Sequence, residues 1–160
     1  GWLDYHLHNF RVKKSGNKKH ISIGFPDEEF GITEILPGWE TPISDYFTIP
    51  GEYAIYDYDF GDGWSHYILL EGILLTEKGA KYPICIEGEC ACPPEDCGGI
   101  PGYYKMIEVL KNKKNPEYSE NVDWLKNHAK NYHPYKPTEF KPEKVHFDNP
   151  KKRLKIALSE

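Results

Sequence analysis

The sequence predicts an α+β fold in which an antiparallel sheet built from two hairpins is packed by C-terminal helices. Three observations predict it. Apolar residues alternate with period two in the first half, as at Ile21, Ile23 and Phe25. From Pro101 onward the spacing becomes three and four, as at Tyr103, Met106, Ile107 and Leu110. Strand-like segments also come before helix-like ones instead of alternating with them, the order expected of α+β.

The elements follow in order. Trp2–Val12 reads as a strand and Ile21–Phe25 as a second, with the polar stretch Lys13–Lys19 as the loop between them. Residues 26–42 read as irregular, with a turn at Pro37-Gly38. Ser44 reads as the cap of a short helical turn that Pro50-Gly51 stops. The clearest hairpin is next. Its first strand, Glu52–Phe60, sets Ala54, Tyr56, Tyr58 and Phe60 on one face and Tyr53, Ile55, Asp57 and Asp59 on the other. Gly61-Asp62-Gly63 tolerates the positive φ of a tight turn. The return strand, Trp64–Leu75, is long and apolar, which suits a central position in a sheet. Tyr82–Ile86 reads as one more short strand. Beyond the helix near Pro101, Asn115 and Pro116 supply a cap and a first helical residue for a helix burying Tyr118, Val122 and Leu125. Asn149-Pro150 repeats that signal for a last helix through Leu154 and Leu158.

A length of 160 residues is enough to bury a core and fits one domain, residues 1–160. With 39% hydrophobic and 14% aromatic residues, disorder is not expected. No run of eighteen apolar residues exists, and Trp2–Val12 carries two histidines where a secretory signal would be apolar, so a cytoplasmic protein that does not cross a membrane is expected. The chain opens on Gly1, the pattern of a fragment or a processed chain.

The net charge of −5 is unevenly spread. Residues 27–108 hold 17 Asp/Glu against Lys78, Lys81 and Lys105, whereas residues 126–160 hold nine Lys/Arg against four acids. Most of such a surface repels a nucleic-acid backbone, and only the basic tail has the charge to grip phosphate. Nucleic acid therefore stays a candidate partner through that tail alone.

Chemistry concentrates between Tyr56 and Gly102. Cys85, Cys90, Cys92 and Cys97 are the only cysteines, spaced C-x4-C-x-C-x4-C, without the paired C-x2-C knuckles of a zinc ribbon. That pattern leaves three readings open: a divalent metal such as zinc, a set of small buried hydrophobes, or a disulfide. Cys97 precedes a helix, which would lower its pKa, but Glu95 and Asp96 beside it oppose a thiolate. Asp57, Asp59, Asp62 and His66 ring the hairpin tip with Trp64, and two carboxylates on one strand face with a histidine could hold a hard ion. The competing reading is a solvated hairpin end. His6 and His8, two apart on a strand, could supply two further ligands or be hydrogen-bonded histidines of the core edge.

Three motifs carry a resemblance: Gly1-Trp2 with Asp4 and His6-Leu7-His8-Asn9-Phe10; Tyr56-Asp57-Tyr58-Asp59-Phe60-Gly61-Asp62 with Trp64 and His66; and Cys85 with Cys92-Pro93-Pro94-Glu95-Asp96-Cys97-Gly98-Gly99 and Gly102-Tyr103. In order and spacing they resemble the plasmid pRiA4b open-reading-frame-three-like family, whose members also occur as insertion-element passenger proteins. The resemblance implies a roll-like α+β domain with no assigned function. It also implies a strand and a helix ahead of the Gly-Trp position; this sequence has neither, so one sheet edge is expected to be exposed or the chain truncated. Cys85, Cys92 and Cys97 fall on family positions and Cys90 does not, so a histidine is a candidate fourth donor.

These residues define a candidate cleft of Asp57, Asp59, Asp62, Trp64, His66, Glu95 and Asp96. The candidate metal ligands are Cys85, Cys92, Cys97, His6, His8 and His66. The leading expectation is a binding or accessory module associated with mobile elements, with the hairpin and the cysteine loop sharing a recess. The alternative is a metal-dependent hydrolase of phosphate esters or nucleic acid, with Asp57, Asp59 and His66 on the ion and Glu95 or Asp96 as base. A third is a structural partner whose basic C-terminal helix docks on nucleic acid.

Overall fold

A computed structural model describes residues 1–13, 20–26 and 35–158. Its described residues cluster into two compact units, Asp4–Glu77 and Gly1–Leu3 with Lys78–Glu160. The expected loop at Lys13–Lys19 lies outside the described residues except for Lys13, and so do residues 27–34 of the expected irregular stretch.

The unit Asp4–Glu77 is a five-stranded sheet. Its strands are β1 (His8–Val12), β2 (Ile21–Gly24), β3 (Ile35–Pro37), β4 (Tyr53–Tyr58) and β5 (Trp64–Leu69), in the order β3-β2-β1-β4-β5. The two expected hairpins are present, β1 with β2 and β4 with β5, both antiparallel. The sheet is mixed rather than wholly antiparallel, because β3 runs parallel to β2. β3 was not anticipated: three residues ending at Pro37 are too few to display alternation.

Register decides the two faces. Phe10 lies opposite Ile23 and Tyr56, and Val12 opposite Ile21 and Ala54, so the apolar sets of three strands coincide on one face. Val12, Ile23 and Ala54 are buried there, and Phe10, Ile21 and Ile68 pack against them. Tyr46 and Phe47, following a 3-10 turn at Ile43–Asp45, cover the same cluster. That turn is the helical turn expected near Ser44, with Pro42 in the capping position.

β5 departs from expectation. It ends at Leu69 and lies at the sheet edge, and residues 71–79 are exposed and outside any strand. An apolar run alone does not distinguish a buried strand from exposed chain.

The other unit holds α1 (Gly99–Lys111), α2 (Tyr118–Asn127) and α3 (Pro150–Ala157). α1 packs on α2, burying Met106, Val109, Val122 and Leu125. Asn115 caps the turn before α2 instead of α2 itself: its Oδ1 accepts the Glu117 N–H at 2.9 Å. At α3 the sequence signal holds, since Asn149 Oδ1 accepts the N–H groups of Lys151 and Lys152 and Pro150 opens the helix. Residues 82–86 form no strand. No helix among the described residues is long and apolar enough to cross a membrane.

Candidate functional site

Period two fails at the hairpin tip, and the failure sets the geometry. β4 stops at Tyr58, and Asp59 takes φ 54°, a left-handed conformation that Asp tolerates better than most residues. Its carboxylate Oδ1 accepts the N–H groups of Gly61 at 3.0 Å and Asp62 at 3.2 Å, which stitches the turn from inside. Its main chain donates to Leu7 O at 3.0 Å and accepts from Gly63 at 2.6 Å. Only 7% of Asp59 is exposed.

Asp57 belongs to the regular strand and is held differently. Arg11 on β1 donates to both of its oxygens, Nε to Oδ2 at 2.6 Å and Nη2 to Oδ1 at 3.2 Å. Those hydrogen bonds hold the Asp57 carboxyl below its ordinary range. Asp57 and Asp59 are thus engaged by different partners, a cation for one and turn amides for the other.

Three histidines gather along the tyrosine row of β4. His6 meets Tyr58 edge-on with centroids 5.8 Å apart, and His8 and His66 tilt against Tyr56 at 5.8 and 5.6 Å. His6 Nε2 lies 3.7 Å from Asp59 Oδ2. Nδ1 of His66 faces the Tyr56 carbonyl oxygen at 3.2 Å; that oxygen only accepts, so Nδ1 carries the proton. Burial pushes the His8 pKa down, opposed by the charge of Asp4. Burial pushes Tyr56 up to about 12, with Asp4 adding to the rise. Among the described residues, the ligand atoms of His6, His8 and His66 do not come together within 4.8 Å. Trp64 and Asp62 are half-buried beside the turn, Trp64 opposite Tyr58.

The cysteine loop belongs to the other unit and is pinned at almost every residue. Trp2 Nε1 donates to Pro93 O at 2.8 Å, and the Leu3 N–H donates to Glu95 Oε2 at 2.7 Å. The Glu95 N–H donates to Tyr132 Oη at 3.3 Å, and Tyr135 Oη donates to Cys92 O at 3.3 Å. Glu95 is 1% exposed, so a buried carboxylate is holding the chain here. Asp96, in contrast, reaches the surface, with φ 57° and its Oδ2 3.8 Å from Nε2 of His128. His128 is itself buried between Trp124 and Tyr132, and its Nδ1 accepts the Lys130 N–H, which puts the ring proton on the nitrogen facing Asp96. Gly98 and Gly99 supply φ values of 86° and 63° as the loop turns into α1.

None of the four cysteines is in a disulfide. Cys85 donates to Glu87 O at 3.6 Å and Cys97 to Gly99 O at 3.9 Å, while Cys90 is exposed. Burial pushes the Cys92 thiol up, which disfavours the thiolate. Among the described residues no group of three metal-capable side chains includes a cysteine.

Sequence reasoning missed the residues that brace these segments. Arg11, His128, Tyr132 and Tyr135 were not among the residues singled out from the sequence. The available signal was aromatic density: Tyr132, His133 and Tyr135 are too apolar as a group for a solvated linker.

Comparison with known proteins agrees with this architecture. The chain is 38% identical to a protein of unknown function, MM3350 from Methanosarcina mazei Go1, whose crystal structure superposes with a TM-score of 0.78 over 91% of this chain and 76% of that one. It is 34% identical over 124 residues to the uncharacterized protein y4hQ of Sinorhizobium fredii (strain NBRC 101917 / NGR234), covering 78% of this chain. The chain spans 60% of the length of that relative. Residues 1–144 match the family described as plasmid pRiA4b ORF-3-like protein, and the chain belongs to that family.

Proposed function

We propose that the chain is a binding module, an accessory to a larger assembly rather than a catalyst. One observation carries this reading: three of the five carboxylates singled out in the sequence, Asp57, Asp59 and Glu95, are committed to the fold. Asp57 is taken by Arg11, Asp59 by two turn amides, and Glu95 by the Leu3 N–H in a buried position. A general base or an ion ligand needs lone pairs turned toward substrate. Rigid, turn-rich segments held this firmly suit recognition. The plasmid in the family's description is what supports a setting on mobile elements.

The test is a screen of the purified chain against phosphomonoesters, phosphodiesters and single- and double-stranded nucleic acids, with magnesium, manganese or zinc. No turnover is expected. Metal-dependent turnover that disappears in Asp59→Asn would establish the hydrolase instead.

The hydrolase reading keeps one supporting observation, the approach of His6 to the buried Asp59 carboxylate. The nucleic-acid reading rests on Lys151, Lys152 and Lys155 of α3, all exposed. It predicts retention on heparin that falls steeply with salt; passage straight through a heparin column at low salt would end it.

A further inference from the structure

The face of the sheet opposite the core carries a surface that the fold does not use. Tyr53 on β4 and Tyr67 on β5 stack with centroids 5.0 Å apart, and Tyr67 is 61% exposed. Leu69, opposite Tyr53 in the register, is exposed beside them. Beyond β5 the chain continues through Ile73, Leu74 and Leu75, exposed at 66, 90 and 96%. Single exposed apolar residues are ordinary, but a stacked aromatic pair running into three consecutive exposed aliphatics is not.

The main chain beside this patch is also on offer. β5 is the last strand of the sheet, with no strand neighbour on its outer side among the described residues. The Leu70 N–H donates to Glu52 O at 2.9 Å. Antiparallel pairing alternates, so the N–H and C=O groups of Ser65, Tyr67 and Leu69 point away from β4. No lysine, proline or bulge blunts this edge from Trp64 to Leu70, although natural edges usually carry one of them. Tyr67 and Leu69 therefore present backbone and side chain together, as strand addition requires.

Charge selects the occupant. The unit Asp4–Glu77 contains thirteen Asp/Glu against five Lys/Arg, and Arg11, on this face, is already paired with Asp57. Glu52 and Glu71 flank the patch, and the tyrosine faces attract cations. A second copy of this sheet would bring the same negative surface to meet itself, which is repulsive.

We propose that an extended basic segment of a partner protein adds as a strand to the β5 edge, its cationic side chains over the Tyr53–Tyr67 stack and its apolar ones against Leu69 and Ile73–Leu75. This deepens the binding-module reading and rests on it, naming the partner's chemistry.

Fluorescence anisotropy tests it with a labelled peptide that alternates lysine and valine along one face, with threonine at the intervening positions, because Tyr53, Tyr67 and Leu69 share one face of the sheet. The peptide binds, and a glutamate–valine peptide does not. Affinity falls about tenfold or more in Tyr67→Ser and in Tyr53→Ser, the scale of an aromatic hot spot. N-methylating alternate peptide nitrogens abolishes binding, because the edge hydrogen bonds are lost. Circular dichroism of both variants confirms that they remain folded, and if Tyr67→Ser does not fold, Tyr67→Phe with the N-methylated peptide carries the test. Three results would overturn the proposal: no binding; binding indifferent to N-methylation and to both tyrosine changes, the mark of nonspecific charge attraction; or sedimentation showing a self-associated chain that Leu69→Lys returns to monomer, which assigns the edge to a second copy. Turnover assays on the same samples keep the two failures apart. No peptide binding and no turnover sinks this surface alone, whereas turnover sinks the binding-module reading itself.

Discussion

Arg11 grips Asp57 across the exposed face of the sheet, its guanidinium donating to both carboxylate oxygens from the neighbouring strand. A residue read from sequence as half of an acidic pair is half of an ion pair. The hydrogen bonds from Arg11 hold the folded pKa of Asp57 below its ordinary 3.8. A carboxylate lowered on folding stabilises the native state above its ordinary value, and that contribution is lost as pH falls through the lowered one. Both side chains are partly solvated, so the pair contributes at most about 1 kcal/mol. In Arg11→Met, stability near neutral pH drops by no more than that, and the gap from the parent closes in strong acid. Urea titrations over a pH series check both parts; a gap that persists in strong acid would mean Arg11 acts through packing.

His8 governs a milder range. Burial against Phe10 and Tyr56 lowers its folded pKa from 6.5, so the unfolded chain takes up a proton first. The sign is therefore loss of stability as pH falls from 6.5 toward the lowered value. His8→Phe flattens that part of the profile. An unchanged slope in the variant would place the proton uptake on another histidine.

Which features could be read from sequence follows from their range. The cap of α3 is a local signal, Asn149 with Pro150, and it reads correctly. The β4 register is also local, because alternation over six residues fixes a face. Asp59 was misplaced because alternation holds only while the strand does, and the strand ends one residue earlier. The ends of β5 depend on where a neighbouring strand stops pairing, which no window of its own residues records. Arg11 and Tyr132 were missed for the same reason: their partners lie 46 residues away, at Asp57, and 37 residues away, at Glu95.

Asp59 is a structural aspartate on this geometry. Asp59→Ala removes the acceptor for two turn amides and leaves an alanine at φ 54°, at a cost of about 1–3 kcal/mol. Asp59→Asn keeps an oxygen in place and tolerates the left-handed backbone, so it costs less. Denaturant melts of the two variants should rank them in that order. Equal losses would show that the negative charge, not the acceptor, matters at this position.

Gly102 tests the seating of the cysteine loop on α1. A Cβ there would lie 1.9 Å from the carbonyl oxygen of Cys97, a backbone atom that cannot swing aside. Alanine favours a helix interior over glycine by about 0.5–1 kcal/mol, so propensity alone predicts a gain. The clash wins, and Gly102→Ala loses about 1–3 kcal/mol as the loop and the first turn move apart. Gly72→Ala, whose Cβ meets nothing within 4 Å, is the control and stays near neutral. A Gly102→Ala variant as stable as the control would show that the loop shifts freely, against the reading of this segment as rigid.

The alkaline limb of stability reports the buried tyrosines. Burial pushes Tyr56 and Tyr132 each up to about 12, and the charges of Asp4 and of Glu95 with the nearby cysteines add to the respective rise. A phenol is neutral when protonated, so a raised folded pKa means that the native state holds the proton more tightly than the unfolded chain. Stability is then fully present below 10, the ordinary value, and declines as pH rises from 10 to about 12. Tyr56→Phe removes one ionising group without changing the ring that His8, Phe10 and His66 pack against, so its alkaline decline is shallower. Tyr132→Phe flattens the same limb but also deletes the acceptor for the Glu95 N–H, so it starts from lower stability near neutral pH. Tyrosinate absorbance at alkaline pH, followed with the unfolding midpoint, separates the two effects. Absorbance that rises in full near 10 while the chain stays folded would mean that neither hydroxyl is shielded as these contacts require.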